Sequence, residues 1–599
     1  MNYNESAVIF NTNTEINSNN NKPNGFNNSE NIEENVNEDR ILYKLTLRKQ
    51  KIQQTINGKR NLKSKNNFIK IKDEDIIKFE KKDFLSGKVY DDLESAIKSK
   101  DGYLQLSIIL GLVHFLQDQK LDNLEYNNLL LKADSSYNIN NNSSNELFPL
   151  SNLVLRLGLE TDNKIIFIYC FNFILNFSFI SHEYCKHITQ KKIIEDILNK
   201  LLYFYPFFVE KKNKGENYNK IFKMTEAQKM EEYEAYYFGS QIFKLLGNLF
   251  VSSETYEVFE SIKFYEKVIY LLSIFELDMK NTEHLKFQFE YLDTLIWLIY
   301  LIFTHNENFV VDYYDNLNNL VPNLLSYVKA LNNTQEIDFL EKIIELIEIF
   351  SDVDENFAKK IAYSDGIKIL SNLFDYLFAQ DKSDCMILTS EIIERILAIF
   401  INITSIDSKY LKLFEYDIFA VVFEKLFSVY KFHHSNHFDI QRNLLLILSN
   451  CACVEDVEEI VKRFLLNNNI IKDLFKIYYQ YHKKEVLYFI NNIMLKQHKK
   501  IRDYILVMGA FDIIKNNIYD YDGNSEEVTN LTIESLFNMI QREKAFNIRL
   551  VFSNIYKTSI PEKIKEIFNN NDFPIETENK LKSLVEDFEK YEKSEELNH

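Results

Sequence analysis

The feature that most limits the fold of this chain is its shortage of residues that break helices. The 599 residues include only 12 Gly and 6 Pro. Turns draw heavily on these two residues, and a β-sandwich or a doubly wound α/β protein of this length needs many turns. The shortage therefore predicts long helices and an all-α fold. One hydrophobic core rarely serves so many residues, so we expect either several domains or an array that grows by stacking.

Two markers recur along the chain and indicate repeated units. The first is a residue that tolerates a left-handed backbone before an apolar helix start, at Gly366, Asp417, Asn469 and Gly509. These positions recur every roughly 40 to 50 residues, near the period of armadillo and HEAT repeats. The second is an apolar helix that carries one Asn, at Asn176, Asn248, Asn402, Asn450 and Asn492. Such repeats bury their helices against neighbours, so the same helix of every repeat would line one concave groove.

The charge is distributed unevenly. The net charge is −18, yet the segment from Arg40 to Lys72 contains eleven Lys or Arg and no Asp or Glu. An acidic body repels phosphate, so we expect no direct binding of nucleic acid, and basic peptides are the better candidate partners. The other interpretation, that the acidic excess only keeps a long helical array soluble, stays open.

Several classes of protein are disfavoured. Met1 is followed by polar, Asn-rich sequence, and the apolar runs are too short or too interrupted to span a bilayer, so we expect neither a secretory signal nor a membrane partner. The five cysteines are scattered, which favours reduced thiols over a disulfide framework or a metal site. No cofactor-binding or catalytic motif is visible, so we predict a protein that is not an enzyme.

Three segments resemble the importin-alpha family. LRKQKIQQTINGKRN, residues 47–61, is similar to the importin-beta-binding segment and matches its basic clusters at Arg48, Lys49, Lys51, Lys59 and Arg60. LESAIKSKDGYLQLSIILGLVHFL, residues 93–116, is similar to the opening armadillo repeat. PEKIKEIFNNNDFPIETENKLKSLVEDFEKY, residues 561–591, looks like the closing segment of the family. The three matches occur in the order that the family has.

The resemblance implies an all-α armadillo-repeat fold, a right-handed superhelical solenoid with a disordered N-terminal basic arm. The expected domain order is a disordered Asn-rich segment at 1–39, a basic importin-beta-binding arm at 40–72, a linker at 73–92, armadillo repeats at 93–555, closing helices at 556–591 and a tail at 592–599. The polar composition of the first segment independently predicts disorder.

The resemblance also implies a nuclear import adaptor that shuttles between cytoplasm and nucleus. Such an adaptor binds the basic nuclear localisation signals of cargo proteins in its groove, docks onto importin beta through the arm, and returns with an export receptor. Two alternatives stay open: an armadillo scaffold for protein interactions without transport, and a paralogue specialised for one cargo. The arm separates adaptor from scaffold, because only the adaptor needs it.

The expected groove departs from the family pattern. An Asn carboxamide can accept from a peptide N–H and donate to a C=O, so a ladder of Asn suits an extended peptide. In the family, a Trp four residues before each Asn walls a slot for a Lys or Arg. Those positions here hold Asn172, Lys244, Ala398, Leu446 and Tyr488, and the one Trp precedes Leu301. We expect a groove of Asn176, Asn248, Trp297, Asn402, Asn450, Tyr488 and Asn492 with a divergent cargo preference. Taken singly, each Asn could be an ordinary helix residue and Trp297 a core residue.

Overall fold

A computed structural model describes most of the chain after residue 75. The described residues are 76–117, 148–180, 182–205, 226–250, 253–277, 285–305, 313–332, 336–380, 386–406, 438–453, 468–496, 499–545, 558–570 and 573–596, with residues 279, 410, 466, 555 and 556. They belong to the second of two units into which the chain divides, Ile71–His599. The predicted disordered segment 1–39 and basic arm 40–72 lie outside the described residues. Within the described ranges there are helices and turns and no strand.

The helices of the first half follow one another with short connections. They are α1 (Lys81–Leu85), α2 (Lys88–Ser99), α3 (Gly102–Gln117), α4 (Pro149–Glu160), α5 (Lys164–Ile180), α6 (His182–Ile188), α7 (Lys191–Phe204), α8 (Glu226–Leu249), α9 (Ser253–Ser261), α10 (Phe264–Ile274), α11 (Leu285–His305), α12 (Tyr314–Asn318) and α13 (Val321–Leu331).

The second half continues in the same manner, with two π-helical turns at Leu474–Tyr478 and Leu506–Ala510. Its α-helices are α14 (Ile337–Val353), α15 (Glu355–Tyr363), α16 (Gly366–Ser371), α17 (Leu373–Gln380), α18 (Met386–Ile406), α19 (Phe438–Ala452), α20 (Asn468–Asp473), α21 (Tyr479–Tyr481), α22 (Lys483–Lys496), α23 (Lys499–Ile505), α24 (Phe511–Tyr519), α25 (Glu526–Ala545), α26 (Ile560–Asn570) and α27 (Ile575–Glu596).

One helix of each unit stacks on the corresponding helix of the next. The helices concerned, called the long-helix row below, are α3, α5, α8, α11, α14, α18, α19, α22, α25 and α27, and each packs on the following one. A second layer backs the row, since α4 packs on α5, α10 on α11, α13 on α14 and α24 on α25. Because each unit contacts mainly its neighbours, the described chain is an all-α repeat solenoid. The prediction of an all-α repeat solenoid is confirmed.

The unit α15 to α18 shows how the sequence builds one repeat. Asp354 caps α15 by accepting a hydrogen bond from the N–H of Asn356 at 2.6 Å. The left-handed residue before the next helix is Asp365, with φ of 58°, rather than Gly366 as the marker predicted. Gly366 is needed for another reason, because a Cβ there would lie 2.4 Å from the carbonyl oxygen of Ile361. The marker Gly509 does adopt positive φ, at 123°.

The helical array begins before its predicted start at residue 93. Helix α1 starts at Lys81, inside the predicted linker 73–92, because Glu80 and Asp83 form a capping box and Phe84 is buried against Phe115, with ring centroids 4.2 Å apart. The chain before α1 crosses α3, where a Cβ on Gly111 would lie 2.1 Å from the carbonyl oxygen of Ile77. At the other end, α27 continues to Glu596, into the predicted tail.

The core lies between the two layers and follows the helical period. In α2 the buried side chains are Val89, Leu93 and Ala96, which fall on one face, whereas α5 is apolar on nearly all sides. Full burial of a residue such as Leu93 contributes about 2 kcal/mol, so many such contacts per joint are needed to hold the array. None of the helices in the described ranges is long and apolar enough to cross a membrane.

Candidate binding surface

The five Asn residues of the predicted ladder all lie on the long-helix row. They occupy corresponding places on α5, α8, α18, α19 and α22, and the two row helices between them, α11 and α14, carry Leu301 and Ile349 at that place. We call these places the ladder positions. Asn248 is buried and the other four Asn side chains are partly exposed.

The ladder carboxamides are engaged mainly with the preceding helix of the row. In four of them Nδ2 donates to a hydroxyl oxygen of that helix: Asn248 to Ser178 at 2.9 Å, Asn402 to Ser351 at 3.0 Å, Asn450 to Thr404 at 3.0 Å and Asn492 to Ser449 at 2.8 Å. We call each of these bonds a clasp. Asn176 instead donates to the carbonyl of Asn172 in its own helix, at 2.8 Å.

The clasps limit what the ladder can offer to a peptide. Nδ2 of Asn450 also approaches the carbonyl of Ile401 at 3.4 Å, and that of Asn492 approaches the carbonyl of Ser449 at 3.1 Å. In these two residues both amide hydrogens have acceptors within the chain. What remains for a ligand is chiefly the Oδ1 oxygen, which accepts from an N–H. The ladder is therefore primarily a set of bonds between repeats.

The two aromatic residues of the predicted groove are both partly exposed, and they lie in different settings. Trp297 on α11 packs against Gly247 of α8, where a Cβ would lie 2.1 Å from Cζ3 of the indole. Its Nε1 is buried without a hydrogen-bond partner among the described residues. Tyr488 on α22 donates to Oε1 of Glu527 at 3.3 Å, and Nζ of Lys484 lies 5.9 Å from its ring centroid. The arm residues Arg48, Lys49, Lys51, Lys59 and Arg60 lie outside the described residues.

A second set of polar contacts, which the sequence analysis did not identify, joins successive helices of the row. These contacts are ion pairs, and they are Lys164–Glu234, Lys244–Glu290, Lys342–Asp293, Arg442–Glu485, Lys484–Glu527 and Lys580–Glu534. The acidic and basic members lie on different helices in every pair. The row therefore carries a line of charges beside the ladder.

Carboxylates outnumber cations most clearly between α14 and α18. Arg395 on α18 faces three glutamates of α14: its guanidinium nitrogens lie 3.4 Å from Glu341, 3.0 Å from Glu345 and 2.8 Å from Glu348. All four side chains are between 14% and 18% exposed. The three glutamates follow a helical i, i+4, i+7 spacing, which the sequence does display, but the partner on another helix could not be read from it.

The next joint shows the electrostatic result of this excess. Burial raises the pKa of Glu394 to about 7, and the nearby carboxylates of Asp439 and Glu348 add to the shift, against a smaller opposing effect of Arg395. Burial is the main cause of the shift, and the smaller contribution of the two carboxylates indicates a locally negative potential. A cation from outside the chain would relieve that potential.

Three of the four cysteines in the described ranges are buried away from solvent. Cys170, Cys185 and Cys451 are buried, and burial raises the pKa of all three thiols, which suppresses the reactive thiolate. The described residues contain no group of three His, Cys, Asp or Glu side chains able to hold a metal ion.

Comparison with known proteins finds matches among solved structures. No protein-family model and no curated protein matches the sequence. Among solved structures, the chain is similar to an engineered protein with 13% identity and a TM-score of 0.47, over 84% of this chain and 99% of that one. It is also similar to a designed armadillo repeat protein with 14% identity and a TM-score of 0.35, over 45% of this chain and 99% of that one.

Proposed function

We propose that this chain is a protein-interaction scaffold that binds a basic, extended segment of a partner along the long-helix row. The observation that carries the proposal is the excess of carboxylates at α14, α18 and α19, where three glutamates share Arg395 and Glu394 lies beside Asp439. Lys or Arg side chains of a partner would supply the missing positive charge. The free Oδ1 oxygens of the ladder would accept hydrogen bonds from its backbone.

Recognition in this scaffold depends on charge more than on aromatic stacking. Four residues before the ladder position of α14, where the resembled family has Trp, the chain carries Glu345. Carboxylates attract Lys and Arg without enclosing their stems, so binding should be sensitive to salt and tolerant of the exact basic residue.

The test is a titration of a fluorescent Lys- and Arg-rich peptide with the full chain. Replacing Glu394→Gln together with Asp439→Asn should weaken binding roughly tenfold, since each removed partly exposed charge contributes about 0.5–1 kcal/mol. Glu355→Gln is the matched control, because Glu355 is an exposed glutamate on α15, outside the row, and pairs with Lys359. Equal affinities for all three proteins would refute the proposal.

Two conditions sharpen the same experiment. Raising the salt concentration from about 0.1 M to about 1 M shortens the screening length from roughly 10 to 3 Å and should abolish most of the binding. Lowering the pH through the pKa of Glu394, about 7, should weaken binding because the protonated carboxyl no longer attracts a cation. That pH effect should be absent in the Glu394→Gln variant.

The more specific form of the proposal is a nuclear import adaptor. Its support is the sequence resemblance to importin alpha, above all the basic clusters Arg48, Lys49, Lys51, Lys59 and Arg60. The partners would be cargo proteins with basic nuclear localisation signals, importin beta and an export receptor, and the chain would shuttle between cytoplasm and nucleus.

Binding to importin beta decides between adaptor and scaffold. The intact chain should bind with micromolar affinity or tighter, on the order of −8 kcal/mol, and lose that binding on deletion of residues 1–72 or in Arg48→Ala with Lys49→Ala. No binding by the intact chain would exclude the adaptor and leave the scaffold, which the peptide titration tests separately.

A further inference from the structure

A group of cations lies where helix α22 of the row ends. Residues 496–502, KQHKKIR, include four Lys or Arg and no Asp or Glu, in a chain whose net charge is −18. They include the end of α22 and the start of α23. Arg542, near the end of α25, donates a hydrogen bond to the backbone carbonyl of Leu495 in the last turn of α22. We call Lys496, Lys500, Arg502 and Arg542 the basic corner.

Two arginines of the corner lie close enough to repel each other. Arg502 is 8% exposed. Its pKa is lowered first by burial and then by the positive charge of Arg542, and Asp503 opposes both effects. A like charge disfavours the charged form of its neighbour at short range. The two guanidinium groups therefore form one concentrated patch of positive charge.

Lys496 extends the corner to α19. Desolvation raises the pKa of the Cys453 thiol, directly after α19, and the positive charge of Lys496 opposes that rise. The ammonium group of Lys496 therefore lies near the end of α19. Because α19, α22 and α25 stack in that order, the corner extends over two successive joints of the row.

Cations elsewhere on the row are neutralised within the chain, in contrast to those of the corner. Lys244 and Lys484, for example, each pair with a carboxylate of a neighbouring row helix. Within the ranges that the structure describes, no carboxylate pairs with Lys496, Lys500 or Arg542. The positive charge of the corner is therefore available to a ligand from outside the chain.

The end of α22 accounts for a small part of this positive charge. The C-terminus of a helix has a partial charge of about −0.5, which favours nearby cations. Arg542 already donates to the carbonyl of Leu495, and Asp503 adds one negative charge. Four cations exceed these two effects. Because Arg542 has several N–H donors and one described hydrogen bond, its planar guanidinium can still bind a carboxylate through two parallel bonds.

We propose that the basic corner binds an acidic segment of a partner protein. Arg542 pairs with one carboxylate of that segment through two hydrogen bonds, and Lys496 and Lys500 attract the carboxylates on either side. Neighbouring row helices lie roughly 10 Å apart, so the two joints together span about 20 Å. An extended segment of about six residues covers that distance at roughly 3.3 Å per residue.

The carboxylates to which a basic segment is proposed to bind lie elsewhere on the row. On α19, Asp439 lies in the first turn, whereas Cys453, beside Lys496, directly follows the last turn. A helix rises about 1.5 Å per residue, so roughly 20 Å separate these two positions. The acidic segment thus has a binding surface of its own, which goes beyond the proposed binding of a basic segment.

A nucleic acid would also supply negative charge, but the surroundings of the corner disfavour it. A strand carries a phosphate at every nucleotide, and the phosphates beyond the corner would meet an acidic body, including Glu527 and Glu534 on α25. An acidic segment of a protein can be as short as the corner itself. The charges therefore favour a protein segment.

The experiment is a fluorescence anisotropy titration of a labelled acidic peptide with the full chain. The peptide has about eight residues, with Glu and Asp alternating with Ser, and a neutral peptide has Gln and Asn in place of the acids. The native chain should bind the acidic peptide saturably, at least about tenfold more tightly than the neutral one. Lys496→Gln with Lys500→Gln should lower the affinity about tenfold. Arg542→Gln, which keeps an amide N–H for the carbonyl of Leu495, should have a similar effect.

The matched control is Lys82→Gln with Lys98→Gln, which changes the net charge by the same amount as the double substitution in the corner. Both lysines are exposed, and they pair with Glu80 and Glu94 near the start of the array. Because this variant leaves the corner intact, its affinity for the acidic peptide should stay within about twofold of that of the native chain.

Three results would overturn the proposal. They are the absence of saturable binding by the native chain, equal affinities of the corner and control variants, and tighter binding of a single-stranded oligonucleotide of about eight nucleotides that is lost in Lys496→Gln with Lys500→Gln. Both of these lysines are exposed, so the variant should keep the circular dichroism of the native chain. It decides the test even if Arg542→Gln does not fold.

The Lys- and Arg-rich peptide separates this proposal from the proposed scaffold function. Its affinity should stay within about twofold in Lys496→Gln with Lys500→Gln, since roughly 20 Å exceeds the screening length at physiological salt. Glu394→Gln with Asp439→Asn should likewise leave the affinity for the acidic peptide within about twofold. Failure of either titration therefore leaves the other proposal standing.

Discussion

Replacing Arg395 by Met is the strongest test of the electrostatics in this array. The guanidinium is 14% exposed and lies within 3.4 Å of Glu341, Glu345 and Glu348. Met preserves the volume of the side-chain stem and removes the charge. Three carboxylates of α14 would then face one another across the α14–α18 joint without a cation.

The expected loss of stability is about 3–5 kcal/mol, the range found when one partner of a buried ion pair is removed. The three pairs do not add, because one guanidinium serves all of them. The loss arises from the uncompensated carboxylates, so it should shrink as the pH falls into the range where carboxyl groups take up protons. A loss caused only by missing side-chain volume would not change with pH.

Urea unfolding provides the measurement. Far-UV circular dichroism follows the helices, and Trp297, the one tryptophan of the chain, reports locally on α11, which neighbours α14. Lys359→Met is the control: Lys359 pairs with Glu355 on the exposed face of α15 at 2.9 Å, and its loss should change stability by less than about 0.5 kcal/mol. The reasoning fails if Arg395→Met costs less than about 1 kcal/mol, or if its cost is equal at about pH 8 and about pH 5.

Two further substitutions test single contacts. Gly247→Ala places a Cβ 2.1 Å from the indole of Trp297, so it should destabilise by about 1–3 kcal/mol and shift the tryptophan emission. Glu394→Gln should raise the free energy of unfolding above pH 7. In the native protein, burial and then Asp439 and Glu348 raise the pKa of the Glu394 carboxyl in the folded state from 4.5 to about 7. The free energy of unfolding of the native protein therefore falls as the pH rises from 4.5 to about 7. The pKa shift of Glu394 corresponds to at most about 3 kcal/mol of unfolding free energy. Because the side chain is partly exposed, we expect the substitution to raise the free energy of unfolding by only about 1 kcal/mol. Urea midpoints measured across this pH range check it.

The helical repeat was predictable because its causes are local. Scarce Gly and Pro, apolar residues at helical spacing and a recurring Asn are all properties of short stretches of sequence, and they placed the five ladder residues on corresponding helices. The acceptors of their carboxamides were not predicted, although the sequence shows a hydroxyl two residues after Asn176 and Asn402. An acceptor on a helix some 50 residues away depends on how two helices align, which no short stretch specifies.

The same limit explains why the sequence analysis did not predict the ion pairs between successive helices of the row. Glu341, Glu345 and Glu348 are visible as one face of α14, but an acidic helix face usually contacts solvent. Arg395 reaches that face only because α18 stacks on α14, and its ion pairs with the three glutamates then join the two helices. The net charge of the chain indicated an acidic protein without showing where the acidic groups concentrate.

The side chain at each ladder position affects both the binding of a peptide and the attachment of one helix of the row to the next, and these two effects can change independently. From the sequence alone, the absence of Asn at a ladder position indicates that a peptide-binding group is missing. In the structure the amide hydrogens of Asn450 and Asn492 are directed at the preceding helix, so the same loss at Ile349 removes a fastening between helices. Because the densest carboxylates lie on α14, α18 and α19, a basic segment bound there would be held chiefly by charge, and the ladder amides would serve chiefly to join the repeats.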